Sequence, residues 1–556
     1  MMLTMLWHFL SSFTPQSVEE LTTILLKNKG ITTNQEKDFF DPKHPTELTE
    51  KEVGFSKGIL KKAAALIHKT GKAKKKIIVF GDYDADGICA TAVLWETLFS
   101  LGYEATPFIP SREKHGYGLS DKALDDILAD PAKKPALLIT VDNGIVAKAA
   151  FARLKKVGVQ TILTDHHQPE GDGSFPEADI IMHTPLLCGT TVSWMLAREL
   201  SPKKAENMIE LCGIATIADQ VPLLGANRSF AKHGIDALRK TRRIGLLALF
   251  ETASLDPQQI DTHTVNYAIA PRINAMGRIG DAKDALRALC TRNKERAYAL
   301  MESLQSTNTQ RQELTVSMYD QARILAKDWE DHHIIVIAHE DFHEGVIGLV
   351  AGKLVEEFSK PAIVISRTGI MAKASARSVA GVNVTELIRQ VREHLSDVGG
   401  HPMAAGFSLL SENIEIVQKL LGKIAKKQID KTLLTKRLVL DCELPPSLCD
   451  MTTVKLLETF EPFGSANPVP LFALRLVVIH NVSTVGKDAK HLRLQISVNN
   501  EQGKQPLHLQ AIGFGLGHLL PQLHAGQTVD LAAHLQRNSW NGRDSAQLVI
   551  KDVVGS

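Results

Sequence analysis

Ile77-Ile78-Val79-Phe80-Gly81-Asp82-Tyr83-Asp84-Ala85-Asp86-Gly87 decides how this chain is read. Four consecutive apolar residues follow the basic run Lys74–Lys76. A strand exposed on one face would alternate, so an unbroken apolar run reads as a strand buried on both. A Gly/Asp turn follows, and Ile88–Leu101 reads as a helix. The rhythm then recurs. Ala136–Val141 is strand-like and ends at Asp142-Asn143-Gly144, and Ala147–Val157 is helix-like. Thr161–Thr164 is strand-like and ends at Asp165-His166-His167. Strands alternating with helices imply an α/β domain with a mostly parallel sheet, placed at residues 51–281.

The same stretch carries chemistry. Asp82, Asp84 and Asp86 put three carboxylates at alternate positions of one turn. Anions this close repel unless a cation lies among them, and hard divalent ions prefer such oxygen ligands. A solvated acidic turn is the alternative; an EF-hand loop would need a terminal glutamate that is absent. Asp142 and His166 follow the next two strands. Ligands of an open parallel sheet bind beyond the carboxyl ends of its strands, so these side chains should converge there. Asp219 ends the apolar helix-like segment Ile214–Ala218 and is either a fourth partner or a helix-end residue. Mixed Asp and His ligation suits two Mn2+ or Mg2+ ions about 3.5–4 Å apart, acting in phosphoryl hydrolysis. Asp142 is the expected bridge.

Elsewhere the patterns change. Residues 1–50 lack a strong period and read as a peripheral helical segment. Residues 282–330 read as a helical connector. Residues 331–430 read as a smaller α/β domain: strand Ile334–Ile337, helix Val346–Phe358, strand Ala362–Ile365, a hairpin around Met371–Val379, helix Val384–Leu395, a Gly399-Gly400-His401 loop and helix Ile414–Lys427. From 431 to 556, short alternating strands suggest an all-β, OB-like barrel. Phe514, Trp540 and Arg537 are its candidate contacts to a single strand.

Composition sets outer limits. The chain has 556 residues, 44% hydrophobic and 23% charged, which suits several globular domains rather than a disordered chain. Lys+Arg number 64 against 62 Asp+Glu, so a nucleic-acid partner needs a local basic surface such as Lys61–Lys76 or Lys419–Lys436. Six cysteines without a C-x-x-C pair argue for a reducing, cytoplasmic setting and against a cysteine-held zinc. With no uncharged apolar run of about 18 residues, no membrane span is expected.

Four motifs in order, Asp82–Gly87, Val141–Gly144, Asp165–His167 and Ala218-Asp219, resemble the DHH phosphoesterase superfamily, named for the motif here at Asp165-His166-His167. The resemblance implies that Asp84 and Asp142 hold one metal, and that Asp86, Asp142, His166 and Asp219 hold the other. Asp82 would contribute directly or through water, and His167 would touch the scissile phosphate. Many members carry a histidine where this chain has Phe80. Further segments resemble the branch of bacterial 5′→3′ exonucleases acting on single-stranded DNA in recombination and repair: Gly116–Leu119, Ala270–Arg278, His343–Gly348, Ser375–Ser378 and Gly399–Gly406. That likeness implies a pocket for the 5′-terminal phosphate built from Arg272, Arg278, Ser375 and Arg377. His401 would act on the scissile phosphate and Tyr117 would stack on a base. It also implies a monomer that works with a helicase and a single-strand-binding protein. An oligoribonucleotide or small-nucleotide phosphodiesterase is the alternative; those relatives usually lack the barrel.

Overall fold

The computed structural model describes residues 5–169, 173–498, 506–540 and 542–555. They divide into two compact units, one of residues 1–270, 289–294 and 437–556, the other of residues 271–288 and 295–436.

The first unit holds a five-stranded parallel sheet in the order Ala105–Phe108, Ile77–Phe80, Leu137–Val141, Gln160–Asp165, Ile180–His183. Ile77–Phe80 and Leu137–Val141 are buried at every position, as their unbroken apolar runs require. Phe80 lies opposite Thr140, and Val141 opposite Thr164, so the acidic turns leave the sheet at one edge. The helix Ala85–Ser100 starts a turn earlier than its apolar pattern suggests, because the Asp84 carboxylate caps it by accepting from the Gly87 N–H. The helix Ile209–Ala218 crosses Gly225–Arg239 where Gly213 meets Gly234. A Cβ on Gly213 would stand 2.7 Å from the Gly234 Cα, so only glycine allows this approach. That crossing fixes the helix whose C-cap is Asp219.

The described part of residues 1–50 packs against the barrel. Leu6–Phe9 pairs in parallel with Arg437–Leu440, and Leu21 and Leu25 of the helix Val18–Asn28 are fully buried in one core with the barrel residues Phe472, Leu492 and Leu531. The fully buried Arg228 binds this segment to the rest of the unit. Its guanidinium donates to the carbonyls of Phe39, Phe460, Glu461 and Pro462 and lies 3.8 Å from the Phe39 ring centre. The C-terminal sheet runs Cys442–Glu443, Phe472–Val485, His491–Val498, Leu507–Gly513, Arg543–Gly555, Thr528–Trp540. It closes through pairing of Thr528–Trp540 with Phe472–Val485, which makes the barrel. Phe472–Val485 is longer than its sequence pattern shows because register shifts at Leu474/Val477 and Ile479/Asn481 interrupt the alternation. The helix Met451–Thr459, capped by Asp450, was not anticipated among the strands.

The second unit carries the 33-residue helix Lys294–Ala326 from Glu295 onward. Its sheet runs Asp397–His401, Ala404–Leu410, Met371–Arg377, Ala362–Ser366, Ile335–His339, and only the last two strands are parallel. Two local expectations need correction. Met371–Arg377 is a single strand, the second arm of a hairpin with Ala362–Ser366, rather than a hairpin in itself. Gly399-Gly400-His401 belongs to an edge strand, not a loop; its glycines hide the strand from propensity.

Candidate metal centre

The sheet edge gathers the expected donors of the first unit. Asp142 leaves its strand with φ 63°, and its side chain is almost wholly buried. Its Oδ1 stands 3.2 Å from His166 Nε2, yet both atoms are buried without a hydrogen-bond partner. Ligand atoms of Asp82, Asp84 and Asp142 lie within 4.8 Å of one another, as do those of Asp86, His166 and Asp219 and those of Asp142, His166 and His167. Asp142 is thus common to two donor groups and His166 to two.

Each donor is held by its surroundings. Asp86 accepts from the N–H groups of Gly189 and Thr190, both at 2.7 Å, so it sits on the first turn of the helix Gly189–Leu200. Asp165 is not itself a member of these groups but organises them. Its Oδ1 accepts from the backbones of His166 (2.7 Å) and His167 (3.1 Å) and faces His167 Nδ1 at 2.8 Å; its Oδ2 accepts from the Ile145 N–H at 2.8 Å. The Asn143 amide bonds the Val141 carbonyl at 2.9 Å and stabilises the turn.

The electrostatics are those of crowded anions. Burial, reinforced by Asp84, pushes the Asp82 carboxyl up to about 7. Burial and the charges of Asp86 and Asp84 push Asp219 up to about 9, and Asp142 is raised for the same reasons. Burial lowers His166, which favours the neutral imidazole that binds a metal. Burial also works against a charge on His167, but its hydrogen bond to Asp165 and the nearby carboxylates outweigh it and raise His167 to about 9. The orphaned Asp142 and His166 atoms, set among carboxylates that cannot all ionise together, fit hard divalent cations.

Tyr117 is half-exposed, and its hydroxyl lies 3.5 Å from His167 Nε2. The Phe80 side chain offers the site no ligand: its ring is fully buried and stacks on Phe108 at 5.3 Å. In the second unit, Ser375 and Arg377 come together, Arg377 Nη1 lying 3.2 Å from Ser375 Oγ. Both press on Gly348, where a Cβ would meet Ser375 Oγ at 2.9 Å and Arg377 Nη2 at 3.0 Å. Arg272 donates to Gln305 at 2.7 Å, and Arg278 to the Gly345 carbonyl at 3.3 Å. His401 ends the edge strand, exposed. In the barrel Phe514 and Trp540 are exposed, but Arg537 is committed to ion pairs with Glu458 and Asp544.

Family models match a DHH family N-terminal domain at residues 76–218, a DHHA1 domain at 331–427 and a RecJ OB domain at 440–552. The single-stranded-DNA-specific exonuclease RecJ of Bacillus subtilis is 32% identical over 97% of this chain and 68% of its own length. The chain belongs to the RecJ family. A crystal structure of RecJ with Mn2+ from Thermus thermophilus superposes with a TM-score of 0.82 at 27% identity, covering 99% of this chain and 80% of that one. A second RecJ structure from that organism, with Mg2+, gives 0.76 at 26% identity, covering 99% and 78%. The RecJ likeness therefore extends through the barrel.

Sequence reasoning missed Asp165, Gly189, Thr190 and Arg112. Asp165 stood in plain sight as the first letter of its motif. Gly189 and Thr190 act through backbone N–H groups and leave no side-chain signal. The Arg112 guanidinium lies 4.5 Å from the Tyr83 ring centre and counters the charge of Asp82.

Proposed function

We propose that this chain is a metal-dependent exonuclease that hydrolyses single-stranded DNA from its 5′ end to 5′-mononucleotides. The observation that carries the reading is the unpartnered Asp142–His166 pair at the centre of the carboxylate cluster, on a chain similar to RecJ over 97% of its own length and 68% of the Bacillus subtilis relative's. Two divalent ions are inferred because Asp142 is shared by two donor groups, one built from Asp82 and Asp84 and one through His166. Asp84 and Asp142 would hold the first ion, supported by Asp82; Asp86, Asp142, His166 and Asp219 would hold the second. Such ions, when bound, supply a water of lowered pKa and positive charge for the leaving oxygen.

The chain's own residues do the rest. Asp165 fixes the orientation of His167 and keeps it cationic, so His167 can donate to a phosphate oxygen. Tyr117, beside His167, offers its ring to the base next to the scissile bond. Burial lowers the pKa of Arg377 and Arg272, a cost that a bound phosphate would relieve. Ser375, Arg377, Arg272 and Arg278 are accordingly assigned to the 5′-terminal phosphate, and His401 to the scissile one. We assign the chain to DNA repair and recombination as a cytoplasmic monomer, with a helicase and a single-strand-binding protein as partners. Among the described residues no helix is long and apolar enough to cross a membrane.

The test is hydrolysis of single strands and duplexes with Mn2+ or Mg2+. Single strands should be consumed at least about a hundredfold faster than blunt duplex, an advantage on the order of 3 kcal/mol. Equal rates would reject the reading.

A further inference from the structure

The first unit presents an aromatic side chain that neither the metal centre nor the barrel accounts for. Tyr267 is 71% exposed, although it lies in the π-helical segment Val265–Ile269, whose end residues are fully buried. Single π-helical turns concentrate at functional sites. Its ring packs beside His263, centres 4.5 Å apart and planes 30° apart, which holds one face and leaves the other open. The preceding residue, Asn266, accepts through Oδ1 a 2.8 Å hydrogen bond from Gln220 Nε2, and Gln220 directly follows the metal-cluster residue Asp219. The segment carrying Tyr267 is thereby linked to the residue that follows Asp219.

The barrel lies beside its stacking partner His263 rather than beside Tyr267 itself. His263 lines a groove of about 1230 Å3 whose wall includes Phe463, the exposed Phe514 and Leu535. The charges along this groove cancel: Lys232, Arg239 and Lys551 stand with Asp236, Asp261 and Glu461. A surface that grips phosphates would be cationic. What the groove offers is therefore aromatic rather than electrostatic: ring faces stack on bases whatever their sequence, and the phosphates are gripped elsewhere.

We propose that Tyr267, backed by His263, is a base-stacking platform for single-stranded nucleic acid between the metal centre and the barrel groove. This rests on the reading that strands are hydrolysed at the metal centre, and adds how a long strand is held on its way there. Tyr267 acts as a positioning residue, since it lies outside the ligand cluster.

The test compares full-length parent, Tyr267→Ala, Tyr267→Phe and His263→Ala with Mn2+, on a long single strand and on a trinucleotide too short to reach the groove. The readout is the ratio of kcat/KM on the long substrate to that on the short one. Loss of one stacked base should lower this ratio about tenfold in Tyr267→Ala, through KM on the long strand. Tyr267→Phe should keep the ratio, because the ring remains, and His263→Ala should lower it in the same direction. A Tyr267→Ala ratio equal to the parent's overturns the platform while leaving the exonuclease reading intact. A parent that cuts neither substrate overturns the exonuclease reading itself.

Discussion

Gly189→Ala should damage metal binding without touching a ligand. Gly189 starts the helix on whose first turn Asp86 rests, and it lies against Asp142. A Cβ there would stand 2.3 Å from Asp142 Oδ1, 2.4 Å from its Cβ and 2.5 Å from its Cγ. Ordinary contact needs a retreat of about 1 Å. Asp142 cannot yield by swinging its carboxylate alone, because its own Cβ is among the clashing atoms. Its backbone, with φ already at 63°, has little freedom either. A metal site tolerates ligand displacements of only about 0.2 Å. Overpacking should cost about 1–3 kcal/mol of stability, leaving the protein folded. Mn2+ affinity should fall about 10–100-fold, and hydrolysis of a single strand about a hundredfold. Calorimetric titration with Mn2+, beside rates at saturating metal, measures both. A folded Gly189→Ala variant that binds Mn2+ and cuts within about twofold of the parent would show that Asp142 is not held as argued.

Three further outcomes follow from the same geometry. Asp165→Asn removes the charge that holds His167 near 9, so His167 should titrate lower by histidine NMR, with activity down about 10–100-fold; an unmoved His167 would refute the pairing. Metal-free protein should lose stability as pH rises from about 4 to about 9. Asp82 and Asp219 titrate near 4 when unfolded but at about 7 and about 9 when folded, so across that window the folded state binds the extra protons. The gain in Tm from Mn2+ should grow over the same range as carboxylates deprotonate, and a gain independent of pH would contradict the cluster. Arg377→Lys keeps the charge but loses the planar fork, so any preference for a 5′-phosphorylated end over a 5′-hydroxyl end should shrink about tenfold in paired kcat/KM measurements; an unchanged preference would free Arg377 from that role.

The parallel sheet was legible because buried strands write themselves as unbroken apolar runs. The acidic cluster was legible because side chains at strand ends carry the chemistry: Asp142, His166 and the acidic turn could be placed together from their positions after successive strands. What escaped was written in backbone or in long-range packing. The amides of Gly189 and Thr190 have no side-chain signature, and the close contact that demands Gly189 joins segments 47 residues apart. The role of residues 1–50 escaped because Leu21 and Leu25 find their core more than 400 residues away in sequence. Arg537 looked like a strand-binding cation until Glu458 and Asp544 were found beside it. The near-neutral total of +2 likewise hid a buried acidic cluster balanced by cations elsewhere.

The central claim is metal-dependent cutting from a 5′ end at the Asp142 cluster. It is tested most directly by following a long single strand, labelled at one end or the other, through its first turnovers with Mn2+. A 5′ label should leave at once as a mononucleotide, while a 3′-labelled strand shortens stepwise; chelation should stop both, and Asp142→Ala should not cut. Release of a 3′ label first, or an Asp142→Ala variant as fast as the parent, would contradict the account.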